Sequence, residues 1–145
     1  MKKLSLKNGV KIIQRQEKAI TRPVLVKKLD DVVSLLVRKR ALYRCIRCGR
    51  FHGPKSKNLS ASHYWSRGHI GTRWDLDNLD AACWFPCHKY KLEGEKQGWY
   101  REYMISKLGQ KGFERLELKA NTRAGYSISD LILLLKDFQK KLEDL

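Results

Sequence analysis

Two close pairs of cysteines constrain the fold of this chain more than any other feature of its sequence. Two residues separate Cys45 from Cys48, three separate Cys83 from Cys87, and 34 residues separate the two pairs. Tetrahedral zinc takes four thiolates, and a short loop brings two of them to the same ion. We therefore predict that these four cysteines bind a structural Zn²⁺ on which folding depends. Four buried thiols without a metal would leave the pairing unexplained.

The charge of the chain is strongly positive and unevenly distributed. The 145 residues carry a formal net charge of +16, and residues 1–50 alone hold 15 basic and 3 acidic side chains. A merely solubilising surface would not concentrate the excess in one third of the chain, so a nucleic acid partner is favoured. No stretch reaches the roughly 18 consecutive apolar residues of a membrane span, and no secretory signal is apparent. We predict a cytoplasmic protein that binds DNA and no membrane.

The N-terminal third divides into an arm and a helix. We predict that residues 1–22 form a basic arm, which either becomes ordered on DNA or is a tail without a role. Residues 23–145 should form one domain. Pro23 suits the first turn of a helix that runs to about Ala41, with an apolar stripe at three- and four-residue spacing. The basic cluster near its end is a candidate phosphate contact or a solvated face: Arg38, Lys39 and Arg40.

The central part, residues 43–98, should hold a small hairpin and a helix. After a loop rich in Gly, Pro and Ser, the sequence predicts a strand at 61–65 and a second one at 71–75. A helix is predicted to begin within 79–83 and to end at Gly94 or Gly98, so that its first turn carries the last two cysteines.

The sequence predicts that the C-terminal part, residues 99–145, is helical. One helix should end at Gly109 and a shorter one follow it. The spacing of Ser127 and Asp130 predicts a capping box that opens a final helix with a leucine stripe. The predicted fold class is α+β and mostly helical, with a zinc core flanked by N- and C-terminal helices.

Three polar side chains near the cysteines suit phosphodiester hydrolysis, which needs a base for the attacking water and a positive charge for the leaving oxygen. His63 has an ordinary pKa near 6.5, which suits proton abstraction at neutral pH. Asn78 could hold the His63 region through its amide. His88 directly follows a zinc-anchored cysteine. The alternatives are a loop histidine without a task, an ordinary turn asparagine and a surface histidine.

These residues carry a resemblance to a known family. The segments at 62–69, 73–83 and 87–91 resemble the motif of the HNH (His-Me finger) endonucleases, and within that superfamily the phage NinG (Rap) recombination proteins. Weaker flanking similarities extend the likeness over residues 27–145. The resemblance implies a treble-clef ββα-metal core in which His63 is the general base, Asn78 supports it, and His88 holds a catalytic Mg²⁺ or Mn²⁺.

The second ligand of that ion is open. Many HNH enzymes carry a metal-binding Asp directly before the base histidine, and this chain has Ser62 there. His69 is one alternative ligand. The carboxylates within reach are Asp75, Asp77, Glu93 and Glu95, and the sequence does not choose among them.

Further basic and aromatic side chains flank the predicted site. Arg67 and Arg73 are candidates for holding phosphates. Tyr64, Trp65 and Trp74 could stack on unpaired bases. Packing is favoured for Trp74 and Trp84, and Trp65 stays undecided.

The function predicted from these features is a metal-dependent DNA endonuclease. The resemblance implies action on Holliday junctions and other branched recombination intermediates, in the host cytoplasm if the chain is phage-encoded. Coordinated cutting of two strands favours a homodimer, with the last helix as the available face unless it packs within the monomer. The alternatives are an HNH homing or restriction-type nuclease on duplex DNA and a non-catalytic zinc module that only binds DNA.

Overall fold

The computed structural model describes residues 20–94, 96–123 and 125–145, apart from the side chain of Tyr90. Of the predicted arm, only residues 20–22 fall in this range, so the arm remains a prediction. Glu95 also lies outside the described residues. Within them, no helix combines the length and the apolarity that crossing a bilayer requires.

The first and last helices pack against each other and form one side of the core. Helix α1 spans Arg22–Arg40, as predicted to within one residue at each end. Helix α4 spans Ile128–Glu143 and begins with the predicted capping box of Ser127 and Asp130. Its buried stripe contains Leu131, Leu135 and Phe138, and α4 contacts α1 along its length. Helix α4 therefore packs these buried side chains against α1 within the chain.

The sheet has two strands, and one of them is not where the sequence predicted it. Strand β1 (Leu59–His63) pairs antiparallel with β2 (Leu79–Cys83), with His63 opposite Leu79. The predicted second strand at 71–75 is wrong, because a short helical turn at Ile70–Thr72 occupies its start and no strand follows before a second helical turn at Leu76–Asn78. Asn78 therefore precedes the second strand instead of following it.

Burial explains why residues 79–83 form a strand and not the start of a helix. All five side chains of β2 are buried. The two alanines and the early Asp80 favour a helix locally, but pairing with β1 and packing against α1 override that preference.

The chain turns from β2 directly into helix α2 (Trp84–Leu92). Phe85 interrupts its start with an extended backbone (φ −119°, ψ 130°), and the Phe85–Pro86 peptide bond is cis. Cys83 thus ends a strand while Cys87 lies in the helix. The expectation that one helical turn carries both cysteines was wrong, although both thiols still reach the same place.

Helix α3 spans Trp99–Asn121 and reaches the sheet through Tyr100, which donates to Ser62 on β1, and Tyr103, which donates to Asp80 on β2. Gly109 breaks it in the left-handed region of φ (φ 71°, ψ 164°), where the sequence predicted one helix to end and another to follow. The fold class is confirmed as α+β and mostly helical, with a two-stranded sheet.

Candidate functional site

The four cysteines converge on one point. Their Sγ atoms all lie within 4.8 Å of one another, and Cys48 Sγ is 3.9 Å from Cys83 Sγ. A tetrahedron with Zn–S bonds of about 2.3 Å has S–S edges of about 3.8 Å. Cys45, Cys83 and Cys87 are buried and Cys48 is exposed. The cluster therefore has the donor type and spacing to bind a metal such as zinc.

The local backbone explains how the first pair is presented. The amide of Gly49 donates to the carbonyl of Cys45 (2.8 Å), and the amide of Cys45 donates to the carbonyl of Arg50 (3.0 Å). Gly49 closes this knuckle with a φ of 70°, a conformation that costs glycine little. The amide of Ile46 donates to the carbonyl of Ala81 (2.9 Å), which attaches the knuckle to β2 next to the second cysteine pair.

The thiol of Cys48 has a pKa below its ordinary value. Its partial burial raises the pKa, but hydrogen bonds from the Arg50 amide and from the neighbouring thiols lower it more, to about 7. A metal-binding cysteine must lose its proton, so a low pKa favours metal uptake near neutral pH.

A cleft of about 520 Å³ lies beside the cysteine cluster, between β1, the loop that follows it, and α2. The residues predicted as the base and as the ligand of a catalytic ion, His63 and His88, both line it. Three charged side chains complete the ionisable lining: Arg67, Glu93 and Lys96. Lys96 was not predicted, because nothing in its local sequence distinguishes it from the other lysines.

His63 is held at the end of β1 in a defined tautomer. Its Nε2 lies 2.9 Å from the carbonyl oxygen of Arg73, which can only accept, so Nε2 carries the proton and Nδ1 keeps a lone pair. Burial lowers the pKa of His63 and the positive charge of Arg67 lowers it further, against the opposing effect of the Arg73 carbonyl. The imidazole is therefore neutral at pH 7 and able to accept a proton.

Asn78 fixes the loop that begins at His63. Its side chain is fully buried (0% exposed). The carbonyl Oδ1 accepts from the Trp65 amide (2.8 Å), and Nδ2 donates to the carbonyls of Trp65 (2.9 Å) and Thr72 (3.0 Å). Asn78 thus ties together two parts of the loop that joins β1 to β2, and it acts on His63 through the backbone.

His88 and Glu93 approach each other on the α2 side of the cleft. His88 Nε2 lies 3.6 Å from Glu93 Oε1. The other ring nitrogen, Nδ1, is buried and has no hydrogen-bond partner among the described residues. Glu93 also lies 3.3 Å from the ammonium group of Lys96. Of the predicted second ligands that the structure describes, Glu93 is the one that lies beside His88.

Among the described residues, other candidates for the missing metal ligand face away from this cleft. Asp77 is exposed and does not line the cleft. His69 Nδ1 lies 2.9 Å from the carbonyl oxygen of Ala120, on the far side of the loop. Ser62, at the position of the missing acid, is 1% exposed and accepts from the Tyr100 hydroxyl (3.4 Å). Its side chain therefore faces the core and not the cleft.

Arg73, a predicted phosphate contact, forms an ion pair within the fold. Its guanidinium donates twice to the Asp30 carboxylate (2.7 and 3.2 Å), and the Trp74 indole donates to the same group (2.8 Å). Burial raises the pKa of Asp30, but these hydrogen bonds lower it more. The network fixes the segment whose carbonyl holds His63, so Arg73 helps to position His63.

The basic cluster at the end of α1 is partly used inside the fold. Arg40 donates to the carbonyls of Leu76 (3.3 Å) and Leu79 (2.8 Å), and Arg38 donates to the carbonyl of Ser34 (3.3 Å). Lys39 is half-buried. None of the three lines the cleft.

The aromatic side chains considered in the sequence analysis differ in their burial. Trp74 is packed as predicted, and Tyr64 is equally buried, both at 5% exposure. Trp65 is half-buried and contacts Tyr64 edge-on. Trp84 is 52% exposed, so the prediction that it packs in the core was wrong.

Comparison with known proteins identifies a family. The model of a protein family described as bacteriophage lambda NinG protein matches residues 2–145. Neither curated proteins nor solved structures gave a significant match to the chain.

Proposed function

Because the chain belongs to the bacteriophage lambda NinG family, we propose that it is a metal-dependent DNA endonuclease that cuts branched recombination intermediates such as Holliday junctions. The single observation that carries this proposal is the cleft, which unites a histidine kept neutral, a histidine–carboxylate pair and two cations. Each of these is a part that phosphodiester hydrolysis requires.

His63 is the general base of the proposed reaction. Its Nε2–H is committed to the Arg73 carbonyl, so Nδ1 takes the proton from the attacking water. The hydrogen bond fixes the ring, and Asn78 fixes the loop that follows. The base therefore needs little reorganisation when substrate arrives.

His88 and Glu93 would hold the catalytic ion. His88 Nε2 lies 3.6 Å from Glu93 Oε1, so a small side-chain movement would bring both atoms to one Mg²⁺ or Mn²⁺. When bound, such an ion supplies positive charge to the phosphate and the leaving oxygen. Arg67 and Lys96 add positive charge from the protein on the same cleft.

The order of elements supports an HNH-type core. Two antiparallel strands are followed directly by a helix, and the base ends the first strand while the ion ligand lies on the helix. The cysteine cluster anchors that helix through Cys87, one residue before His88. We propose that this is a treble-clef ββα-metal arrangement with structural Zn²⁺.

The experiment that tests this function is cleavage of a labelled four-way junction, a flap and a linear duplex side by side, with Mg²⁺ or Mn²⁺ and with chelator. Metal-dependent cutting of the junction and flap supports the proposal. Equal cutting of linear duplex would favour a homing or restriction-type enzyme, and no cutting of any form would favour a zinc module that only binds DNA. Coordinated incision of two strands also leads us to propose a homodimer, measurable by sedimentation.

The pH dependence of cleavage should reflect the lowered pKa of His63. The unprotonated ring is the active form, so we expect activity to be retained below pH 6.5 and lost only as the pH falls through the lowered pKa. Arg67→Gln removes a charge that lowers this pKa, so the acid limb of kcat/KM should move to higher pH. Arg115→Gln removes an exposed charge outside the cleft and should leave the limb in place. An acid limb that does not move in Arg67→Gln would contradict the assignment of the base.

Glu93→Gln should weaken the binding of the catalytic ion. Loss of an outer-shell partner of a metal ligand already costs about 10–100-fold in affinity, and a direct ligand should cost at least as much. We expect the Mn²⁺ concentration for half-maximal cleavage to rise by about tenfold or more. Glu102→Gln removes an exposed carboxylate from α3 and serves as control. An unchanged Mn²⁺ titration in Glu93→Gln would exclude Glu93 as a ligand.

A further inference from the structure

Trp84, which lines the cleft, and its neighbour Phe85 are exposed aromatic side chains that have no part in the proposed chemistry. Trp84 is 52% and Phe85 is 58% exposed, and Trp84 lines the cleft together with His63 and His88. Burying large aromatic side chains normally stabilises a fold. An adjacent pair that remains more than half exposed is therefore a feature of binding surfaces.

The backbone of this pair is held rigidly by one residue. Asn58 accepts from the Trp84 amide through its main-chain carbonyl (2.6 Å). Its side chain accepts from the Phe85 amide (3.0 Å) and donates to the Phe85 carbonyl (3.0 Å). Three hydrogen bonds thus fix the segment that carries the two rings. A ligand that stacks on them meets a preorganised surface and loses little free energy in ordering it.

The pair is also continuous with the proposed metal site. The Trp84 indole stacks on the His88 imidazole, with ring centroids 4.9 Å apart and an angle of 26° between the planes. Since the indole is still half exposed, the stack with His88 leaves part of it open to a ligand. A flat group on this rim would lie directly beside the cleft.

The charge around the pair is mainly positive. Trp84 lines the cleft together with Arg67, Lys96 and one carboxylate, Glu93, which is already paired with Lys96. Lys55 and Lys57, in the loop before Asn58, are exposed. An aromatic surface with positive charge beside it is the combination that binds single-stranded nucleic acid.

We propose that Trp84 and Phe85, held by Asn58, form a stacking platform for a nucleobase that is unpaired or unstacked at a DNA branch point. This inference rests on the proposed function and specifies which feature of branched DNA the protein recognises. In a continuous duplex both faces of each base are covered by the neighbouring bases. The platform therefore finds no exposed base face on which to stack. At a branch point a base loses a neighbour, and the platform replaces it.

The test measures binding in the His63→Ala background, so that the DNA is not cut. A four-way junction with 2-aminopurine at the branch point and a linear duplex of the same sequence are titrated with zinc-loaded protein. Stacking of one base is typically worth about tenfold in affinity. Phe85→Ala should therefore weaken junction binding by about tenfold and change the 2-aminopurine fluorescence of the complex, while duplex binding is unchanged. Phe85→Trp should restore junction binding.

Phe51→Ala is the matched control, because Phe51 is 57% exposed on the zinc knuckle and does not line the cleft. It should leave the preference for the junction intact. The proposal is overturned if Phe85→Ala behaves like Phe51→Ala, if it weakens junction and duplex equally, or if it abolishes self-association in sedimentation and leaves DNA preference unchanged. These results are independent of cleavage, so they are distinguishable from a failure of the endonuclease assignment. Zinc content of each variant confirms that the cluster beside Phe85 is intact.

Discussion

Substituting Cys83 by Ser is expected to abolish zinc binding and to unfold the centre of the chain. The Cys83 thiol is 1% exposed and lies within 4.8 Å of the other three thiols. A structural zinc contributes on the order of 10 kcal/mol to folding, which is comparable to the whole stability of a typical domain, about 5–15 kcal/mol. Zinc stoichiometry by atomic absorption and thermal unfolding by circular dichroism measure the two effects.

Ala82→Ser controls for the buried hydroxyl that the cysteine substitution introduces. Ala82 is fully buried (0% exposed) one residue earlier on β2, so its substitution should cost about 1–3 kcal/mol and leave the zinc bound. If Cys83→Ser protein kept one zinc per chain and the melting temperature of the unmodified protein, the cluster would not be a structural metal site.

His63→Ala should reduce cleavage by about 10²–10⁴-fold, the usual contribution of a general base. His63 is half-buried and bonded to one carbonyl, so its loss should leave the fold and the zinc content close to those of the unmodified protein. Binding to DNA should persist. Single-turnover cleavage rates at saturating protein separate the chemical step from binding.

His69→Ala is the control for this substitution. His69 was an alternative metal ligand in the sequence analysis. In the structure its imidazole is hydrogen-bonded to the Ala120 carbonyl, away from the cleft. Cleavage by the His69→Ala protein should remain within a few-fold of the unmodified rate. A loss of cleavage rate as large as that of His63→Ala would show that His69 is part of the catalytic site.

The cysteine cluster could be predicted because short spacings fix where ligands can go. Two residues between Cys45 and Cys48 leave few ways to separate their thiols, whatever the surrounding fold. The same holds for Gly109, where a glycine's freedom of φ marks a break. The hairpin was harder, since residues 79–83 have weak local preference and form a strand only because β1 and α1 bury them.

The pairing of His88 with Glu93 could not be predicted from sequence. Residues five apart on an α-helix point in directions about 140° apart. Helix α2 winds in wider, π-helical turns, which bring positions five apart towards the same side. The exposure of Trp84 was missed for a related reason, because the extended backbone at Phe85 and the clamp by Asn58 hold the pair outside the core.

The most direct test of the central claim is cleavage of one labelled four-way junction by the unmodified and His63→Ala proteins, both zinc-loaded, with Mn²⁺ or Mg²⁺ and with chelator. The account predicts that the unmodified protein cuts at the branch only with the divalent ion, and that His63→Ala binds the junction but does not cut it. Equal cutting by both proteins, or cutting that persists in chelator while the zinc cluster stays loaded, would contradict the assignment of this cleft as a metal-dependent nuclease site.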